Sequence, residues 1–378
     1  MKHFAMYCFL LYTSFLIGQN QPPDEAIERL NSGIDFFAAA QFTEAIKAYT
    51  SAIASDPDYF KAYYYRSQAH LQIKDHTNAL RDLEKAQQLD PGRGELYGLM
   101  ASIYYEEEQF QSVMEIVRVA EDLKLADQNA HLHRGLVFLG REQYGPAKGD
   151  FDKAIQLEPD MSEAYYNRGI VAAKTDQPET AINDFSVALQ LKPQYEKARF
   201  ARATEYFKLG NYDDALDDLH FYLATQTEDG QGYKLRGHTF YALKKYPQAI
   251  ADYNLALNYF PLDPEVLHQR AGAFMSTQKY QKALGDLTIV IEQNGADPEL
   301  LLERGYCHAK NTDHESAIND YTDAIRLQPD FNNAYFYRGQ SYLVVKNYQL
   351  GCDDLLFARK KGHQKAAEIM KEHCKRNK

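Results

Sequence analysis

Residues 162–195 read SEAYYNRGIVAAKTDQPETAINDFSVALQLKPQY. Tyr165, Gly169 and Ala172 recur at helical spacing, and Ala181, Phe185 and Ala188 do so again after a short break. Pro193 then closes the pattern, because proline cannot continue a helix. Two short helices joined by a turn account for the stretch. The small residues let the helices approach closely, and the larger ones fill the space beside them.

The same pattern runs along most of the chain. Gly33, Ser67, Ala101, Gly135, Gly169, Ala203, Gly237, Ala271, Gly305 and Gly339 follow one another at a constant step of 34 residues. Twelve residues later stand Ala45, Ala79, Val113, Ala147, Ala181, Ala215, Ala249, Ala283, Ala317 and Gly351. Seven further on come Ala52, Ala86, Ala120, Ala154, Ala188, Tyr222, Ala256, Val290, Ala324 and Ala358. Pro57, Pro91, Pro159, Pro193, Pro261 and Pro329 close most of the units. One helix pair cannot bury its apolar face, whereas ten stacked pairs bury a continuous one.

On these residues the chain resembles the tetratricopeptide repeat (TPR) family, over residues 26–361. The resemblance implies an all-α, right-handed superhelical solenoid of ten helix–turn–helix units, whose first helices line a concave groove for a peptide or partner helix. Tyrosine stands at the fourth position, where the family often has tryptophan: Tyr63, Tyr97, Tyr165, Tyr233 and Tyr335.

Two positions vary together. Eight units carry arginine just before the small residue: Arg66, Arg134, Arg168, Arg202, Arg236, Arg270, Arg304 and Arg338. The same eight carry aspartate sixteen residues later: Asp82, Asp150, Asp184, Asp218, Asp252, Asp286, Asp320 and Asp354. The other two units have Ser32 with Ala48 and Met100 with Ile116. Pairing across units would set Asp82 against Met100 and Arg134 against Ile116, so an ion pair within each unit is expected.

The ends differ from the array. Phe4 to Ile17 carries no charge, and Gly18 precedes a polar run with Pro22 and Pro23. This is the anatomy of a secretory signal peptide over residues 1–18, followed by a linker over 19–25. The apolar run is too short to span a bilayer, which needs roughly 20 residues. Cys8 lies too early for lipidation and lacks a lipobox, so the mature chain is read as exported, periplasmic or secreted. At the other end, residues 362–378 are expected to add a capping helix over Gln364 to Arg376, with apolar Ala366, Ile369 and Met370 beside basic Lys365, Lys371, Lys375 and Arg376. Helices antiparallel about Gly362 would bring Cys352 and Cys374 level, so a disulfide is expected in an oxidising compartment. Cys307 reads as a buried apolar residue.

Two units look irregular. The third has Met100, Val113, Val117 and Leu125, and the sixth has bulky Tyr222 opposite Gly230 and Gly232.

Catalytic, metal and cofactor readings find no support. His131 and His133 point to different faces of one helix. His314-Glu315 has no second histidine at metalloprotease spacing. Asp213, Asp214, Asp217 and Asp218 are scattered by helical spacing. A net charge of −11 disfavours a nucleic-acid partner.

The first-helix positions that the resemblance assigns to the groove are apolar. They include Tyr64, Leu132, Leu136, Leu139, Tyr166, Ile170, Phe200, Phe207 and Tyr241, with Leu30, Leu302 and Phe336 in the same register. An exposed stripe of this kind marks a binding surface for a protein or peptide. The lysine and asparagine clamp of chaperone-adaptor TPR proteins is missing, with Lys234, His238 and Gln269 at the corresponding places. Two other readings are a self-assembling envelope protein and a glycan-binding solenoid, since tyrosine faces suit sugars.

Overall fold

The computed structural model describes residues 21–374, which form twenty-one helices and no strand. The proposed leader, Cys8, the start of the linker, and Lys375 and Arg376 lie outside the described residues. The helices group into two compact units that divide after Asp176, in the turn of the fifth repeat.

The first unit holds α1 (Asp24–Ala38), α2 (Phe42–Ser55), α3 (Phe60–Gln72), α4 (His76–Leu89), α5 (Gly94–Glu106), α6 (Phe110–Asp122), α7 (Gln128–Gly140), α8 (Tyr144–Leu157) and α9 (Ser162–Lys174). The second holds α10 (Pro178–Leu191), α11 (Glu196–Lys208), α12 (Tyr212–Thr225), α13 (Gly230–Ala242), α14 (Tyr246–Tyr259), α15 (Pro264–Ser276) and α16 (Tyr280–Asn294). It continues with α17 (Pro298–Lys310), α18 (His314–Leu327), α19 (Asn332–Val344), α20 (Tyr348–Lys360) and α21 (Ala366–His373). Within each unit, consecutive helices pack side by side as helical hairpins. No helix of the described residues is long and apolar enough to cross a membrane.

One turn recurs inside every repeat. Its middle residue has a positive φ at Ala40, Lys74, Glu108, Glu142, Asp176, Lys244, Gln278, Thr312 and Lys346, and at Gly210 in the sixth repeat. A left-handed residue closes the first helix and turns the chain in three residues. The constant step of 34 residues follows from repeating this fixed turn.

The link between repeats has its own fastener. The hydroxyls of Tyr63, Tyr97 and Tyr233 donate to the carbonyls of Pro57, Pro91 and Thr227 at 3.0–3.1 Å. Tyrosine at the fourth position thus ties three first helices, α3, α5 and α13, to the loop before them. In the sixth repeat Arg199 replaces tyrosine, and its guanidinium reaches the Pro193 carbonyl at 2.9 Å.

The hairpins are held by a match of sizes. Within each unit, the small residue of a first helix faces the second-helix residue sixteen positions on. Glycine faces an aromatic ring at Gly33 with Tyr49, Gly135 with Phe151, Gly237 with Tyr253 and Gly305 with Tyr321. A Cβ built on any of these glycines would lie 2.4–2.7 Å from a ring carbon. Where the small residue is Ser67, Ala101, Ala203 or Ala271, its counterpart is Leu83, Val117, Leu219 or Leu287. Gly339 is the exception, facing Leu355 rather than a ring, and there the Leu355 side chain and the backbone oxygen of Gly351 share the space. All of these second-helix residues are fully buried.

The irregular repeats close up in different ways. In the third, Met100, Val113 and Val117 are buried, so the missing charged pair is replaced by apolar packing. There α5 approaches the next first helix closely: a Cβ on Gly94 would meet the Leu125 carbonyl, and one on Gly98 would meet the Asp127 carboxylate. In the sixth, the Tyr222 ring lies 3.0 Å from where a Gly232 Cβ would stand, and its hydroxyl bonds Asp229 at 2.7 Å. Gly230 makes room for Tyr259 and Phe260 rather than for Tyr222.

Two terminal boundaries differ from expectation. The first helix begins at Asp24, inside the segment read as linker, because Asp24 and Glu25 suit the positive end of a helix. The capping helix α21 is shorter than expected and starts at Ala366, after the chain turns at Gly362 with φ +90°. Cys352 and Cys374 are bonded, with Cα atoms 5.7 Å apart. His363 stacks on Phe336 with ring centres 3.7 Å apart. Cys307 is buried, and burial pushes its thiol up to about 12.

Candidate protein-binding surface

The nine first-helix residues assigned to a groove lie on α3, α7, α9, α11 and α13. They do not form an exposed stripe. Leu132 is buried at 2% exposure, and Tyr64, Leu136, Leu139, Tyr166, Ile170, Phe200, Phe207 and Tyr241 are half-buried. Leu30, Leu302 and Phe336, at the Leu132 position in other repeats, are buried too. The cause is close approach of successive first helices. Gly272 leaves room for the Tyr241 hydroxyl, which would stand 2.7 Å from a Cβ there. Leu136 and Leu139 pack on a core of Leu132, Phe151 and Val171.

In the second unit Phe200, Phe207 and Tyr241 form a half-buried row of rings, and in the first Tyr64 is half-buried likewise. Tyr64 stacks on Phe60 at 6.0 Å, and Phe200 leans on Tyr222 at 5.1 Å. Phe207 lies 5.6 Å from Tyr212 and 6.4 Å from His238, and Tyr241 lies 5.5 Å from Tyr246. Packing fixes these rings before any ligand arrives, which lowers the entropic cost of binding. The charged groups beside them are already engaged. Lys234 bonds Asp263 at 2.9 Å and Glu265 at 2.6 Å, so it is not free to grip a carboxylate. His268 bonds Glu303 at 2.8 Å, and that bond raises its pKa. Burial lowers that of His238, which favours the neutral ring.

Away from this face the arginines form a ladder. Arg66, Arg134, Arg202, Arg236, Arg270, Arg304 and Arg338 each hold the aspartate of their own repeat with two bonds of 2.6–3.0 Å. Arg168 and Asp184 fall on either side of the division between the two units. The sequence reading missed the other end of the guanidinium. Nη1 of Arg66, Arg168, Arg202, Arg270 and Arg338 also reaches back to the preceding repeat. Its acceptors are Thr50, Asp152, Ser186, Asn254 and Thr322, at 2.7–3.1 Å. Each acceptor stands sixteen residues before its arginine, so the spacing was visible although the residue type varies. Planar arginine can serve two directions at once, as lysine cannot. These guanidiniums are thus engaged by side chains of the fold.

The fourth repeat bends this scheme. Arg134 there turns to Glu121, at 2.5 and 2.8 Å, and Lys153 reaches the same carboxylate at 2.8 Å. His131 Nδ1 lies 3.0 Å from Asp150. Glu121, His131 and Asp150 have the mutual spacing of metal ligands, but the Arg134 guanidinium bonds both carboxylates, and two cations already neutralise them. Metal occupancy would require expelling Arg134. Burial pushes Asp150 up, yet the bonds from Arg134 and His131 outweigh it and hold the carboxyl below its usual range.

Glu121 is held at about 2, chiefly by its bond from Arg134. Its folded pKa lies below the unfolded one, so its contribution is fully present above the unfolded value and fades as pH falls through about 2. Glu121→Gln should therefore lower the melting temperature near neutral pH, with a gap from wild type that closes between about pH 4.5 and 2. A gap that is constant with pH would show that Arg134 gains nothing from this charge.

The tetratricopeptide repeat profile matches residues 30–93, 132–196, 200–265, 268–321 and 308–351. A DnaJ homolog subfamily C member 7 homolog of Dictyostelium discoideum is 42% identical over 79 residues, covering 19% of this chain and 15% of that protein. Hsp70-Hsp90 organizing protein 1 of Glycine max is 27% identical over 129 residues, covering 34% of this chain and 22% of that one. The chain thus spans under a quarter of the length of either relative. Among solved structures, the C-terminal part of a TPR repeat-containing protein of Cytophaga hutchinsonii superposes with a TM-score of 0.51 at 17% identity, over 63% of this chain and 97% of that one. With the profile spread over more than half of its length, the chain belongs to the tetratricopeptide repeat family.

Proposed function

We propose that this protein is an exported, non-catalytic adaptor that binds a protein or peptide through the half-buried aromatic and aliphatic row on its first helices. The observation that carries the reading is the row of packed, half-buried rings Phe200, Phe207 and Tyr241 on the first helices α11 and α13 of the second unit. Aromatic side chains held in place by packing are the usual anchors of protein interfaces. Engagement of Lys234 by Asp263 and Glu265 argues for an apolar ligand rather than a chain-end carboxylate. One of its relatives is an Hsp70-Hsp90 organizing protein, in keeping with a scaffold role. Export rests on the uncharged run from Phe4 to Ile17 and on the Cys352–Cys374 bond, which belongs to an oxidising compartment.

The test is crosslinking co-purification from the native cell envelope, comparing wild type with a Phe207→Ser, Tyr241→Ser variant of equal helicity. A partner captured by wild type and lost by the variant supports the first-helix row. Equal capture by both moves the site elsewhere, and a protein found only in the cytosol overturns the export reading.

A further inference from the structure

The charge of this chain is unevenly placed. From Arg359 to the last residue there are eight Lys or Arg and two acids, in a chain of net charge −11. Arg359, Lys360, Lys361, Lys365 and Lys371 are exposed at the end of α20, in the following turn and on α21. The Cys352–Cys374 bond, the Phe336–His363 stack and buried Ala366 hold this segment against the last repeat. The cations therefore sit on a fixed surface. Lys361 alone among these five holds a carboxylate of another residue, Asp330, within the described residues.

The first repeat carries the opposite sign. Helix α1 bears Asp24, Glu25, Glu28 and Asp35, and its one cation, Arg29, bonds Glu25. Asp24, Glu28 and Asp35 hold no ion pair among the described residues. At helical pitch they share one face and span about 16 Å. Ile27, Asn31 and Ser32 stand beside them on the same helix. Ser32 stands where eight of the other nine repeats carry the ladder arginine, so this face lacks that cation.

We propose that the chain associates head to tail with a second copy, the acidic face of α1 in one copy docking on the basic cap around α21 of the next. The two surfaces differ, so a single contact of this kind is heterologous and leaves an acidic face on one copy and a basic cap on the other for a further contact. A second copy fits because it brings, on its own α1, an exposed face of carboxylates that hold no ion pair among the described residues. The inference does not depend on the first-helix row.

Sedimentation velocity of oxidised protein tests this at low and high ionic strength, about 20 and 500 mM, where screening lengths differ several-fold. Assembly that grows with protein concentration at low salt and dissolves at high salt is expected. Glu28→Lys with Asp35→Lys gives a copy with two basic ends, and Lys365→Glu with Lys371→Glu gives one with two acidic ends. All four positions are exposed, so folding should be retained, with helicity as the check. Each variant alone should associate at least 10-fold more weakly than wild type, and an equimolar mixture should recover assembly. Wild type that stays a single chain at low salt overturns the proposal. So do variants that assemble as wild type does, or a mixture that fails to recover.

Discussion

Replacing Gly237 by alanine is expected to destabilise the protein by about 2 kcal/mol, although alanine is the better helix former. The added Cβ would stand 2.7 Å from Cε1 and 2.8 Å from Cδ1 of Tyr253, a ring with no exposed surface and so no room to withdraw. The remedy is written elsewhere in the same chain, where Ala271 faces Leu287. Tyr253→Leu combined with Gly237→Ala should recover at least 1 kcal/mol of the sum of the single losses, a coupling that a double-mutant cycle reads directly. Gly285→Ala supplies the control. It lies in α16 with nothing within 4 Å of the new Cβ, so it should stabilise by about 1 kcal/mol. Urea melts in which both alanines act alike, or in which Tyr253→Leu brings no recovery, would refute the size match.

The second large effect is expected at the ladder. Asp252 is 3% exposed and takes two bonds from Arg236, at 2.7 and 2.8 Å. Arg236 has His220 sixteen residues before it and no acceptor bond there among the described residues. Asp252→Ala therefore strands a guanidinium that is only partly wet, at a cost of about 3 kcal/mol. Arg236→Met with Asp252→Ile reproduces the third repeat, where Met100 and Ile116 replace the charges. That pair should restore most of the loss, because apolar groups of suitable volume can replace a buried ion pair at little cost. A double variant as weak as Asp252→Ala alone would mean that the arginines do more than pair within their repeat.

Much of this fold was legible because a repeat writes the same constraint ten times. The constant spacing and the small-residue triplet required helical hairpins, and the joint loss of Arg and Asp in two repeats pointed to the ladder. The backward bonds of the arginines were harder to see. Threonine, aspartate, serine and asparagine all serve as acceptors, so no single residue type recurs. The match of glycine to aromatic ring was present in Gly237 and Tyr253, but it shows only when two columns of the repeat are compared for volume. Exposure on the first helices was not legible at all. Whether Leu132 or Tyr64 faces water depends on how closely neighbouring hairpins approach, and pairs such as Gly98 with Asp127 or Gly272 with Tyr241 set that distance.

The recurring turn has an energetic consequence. Nine of its ten central residues are not glycine, yet all hold a positive φ. Each such residue carries about 1 kcal/mol of backbone strain relative to one at ease there. The sites are spaced a full repeat apart and share no partners, so their costs should add independently. The array therefore keeps a reserve of unclaimed stability distributed evenly along its length. Asparagine, which tolerates this conformation without glycine's loss of entropy, could draw on it one turn at a time. A protein built this way can be hardened in graded steps, leaving every residue of its faces untouched.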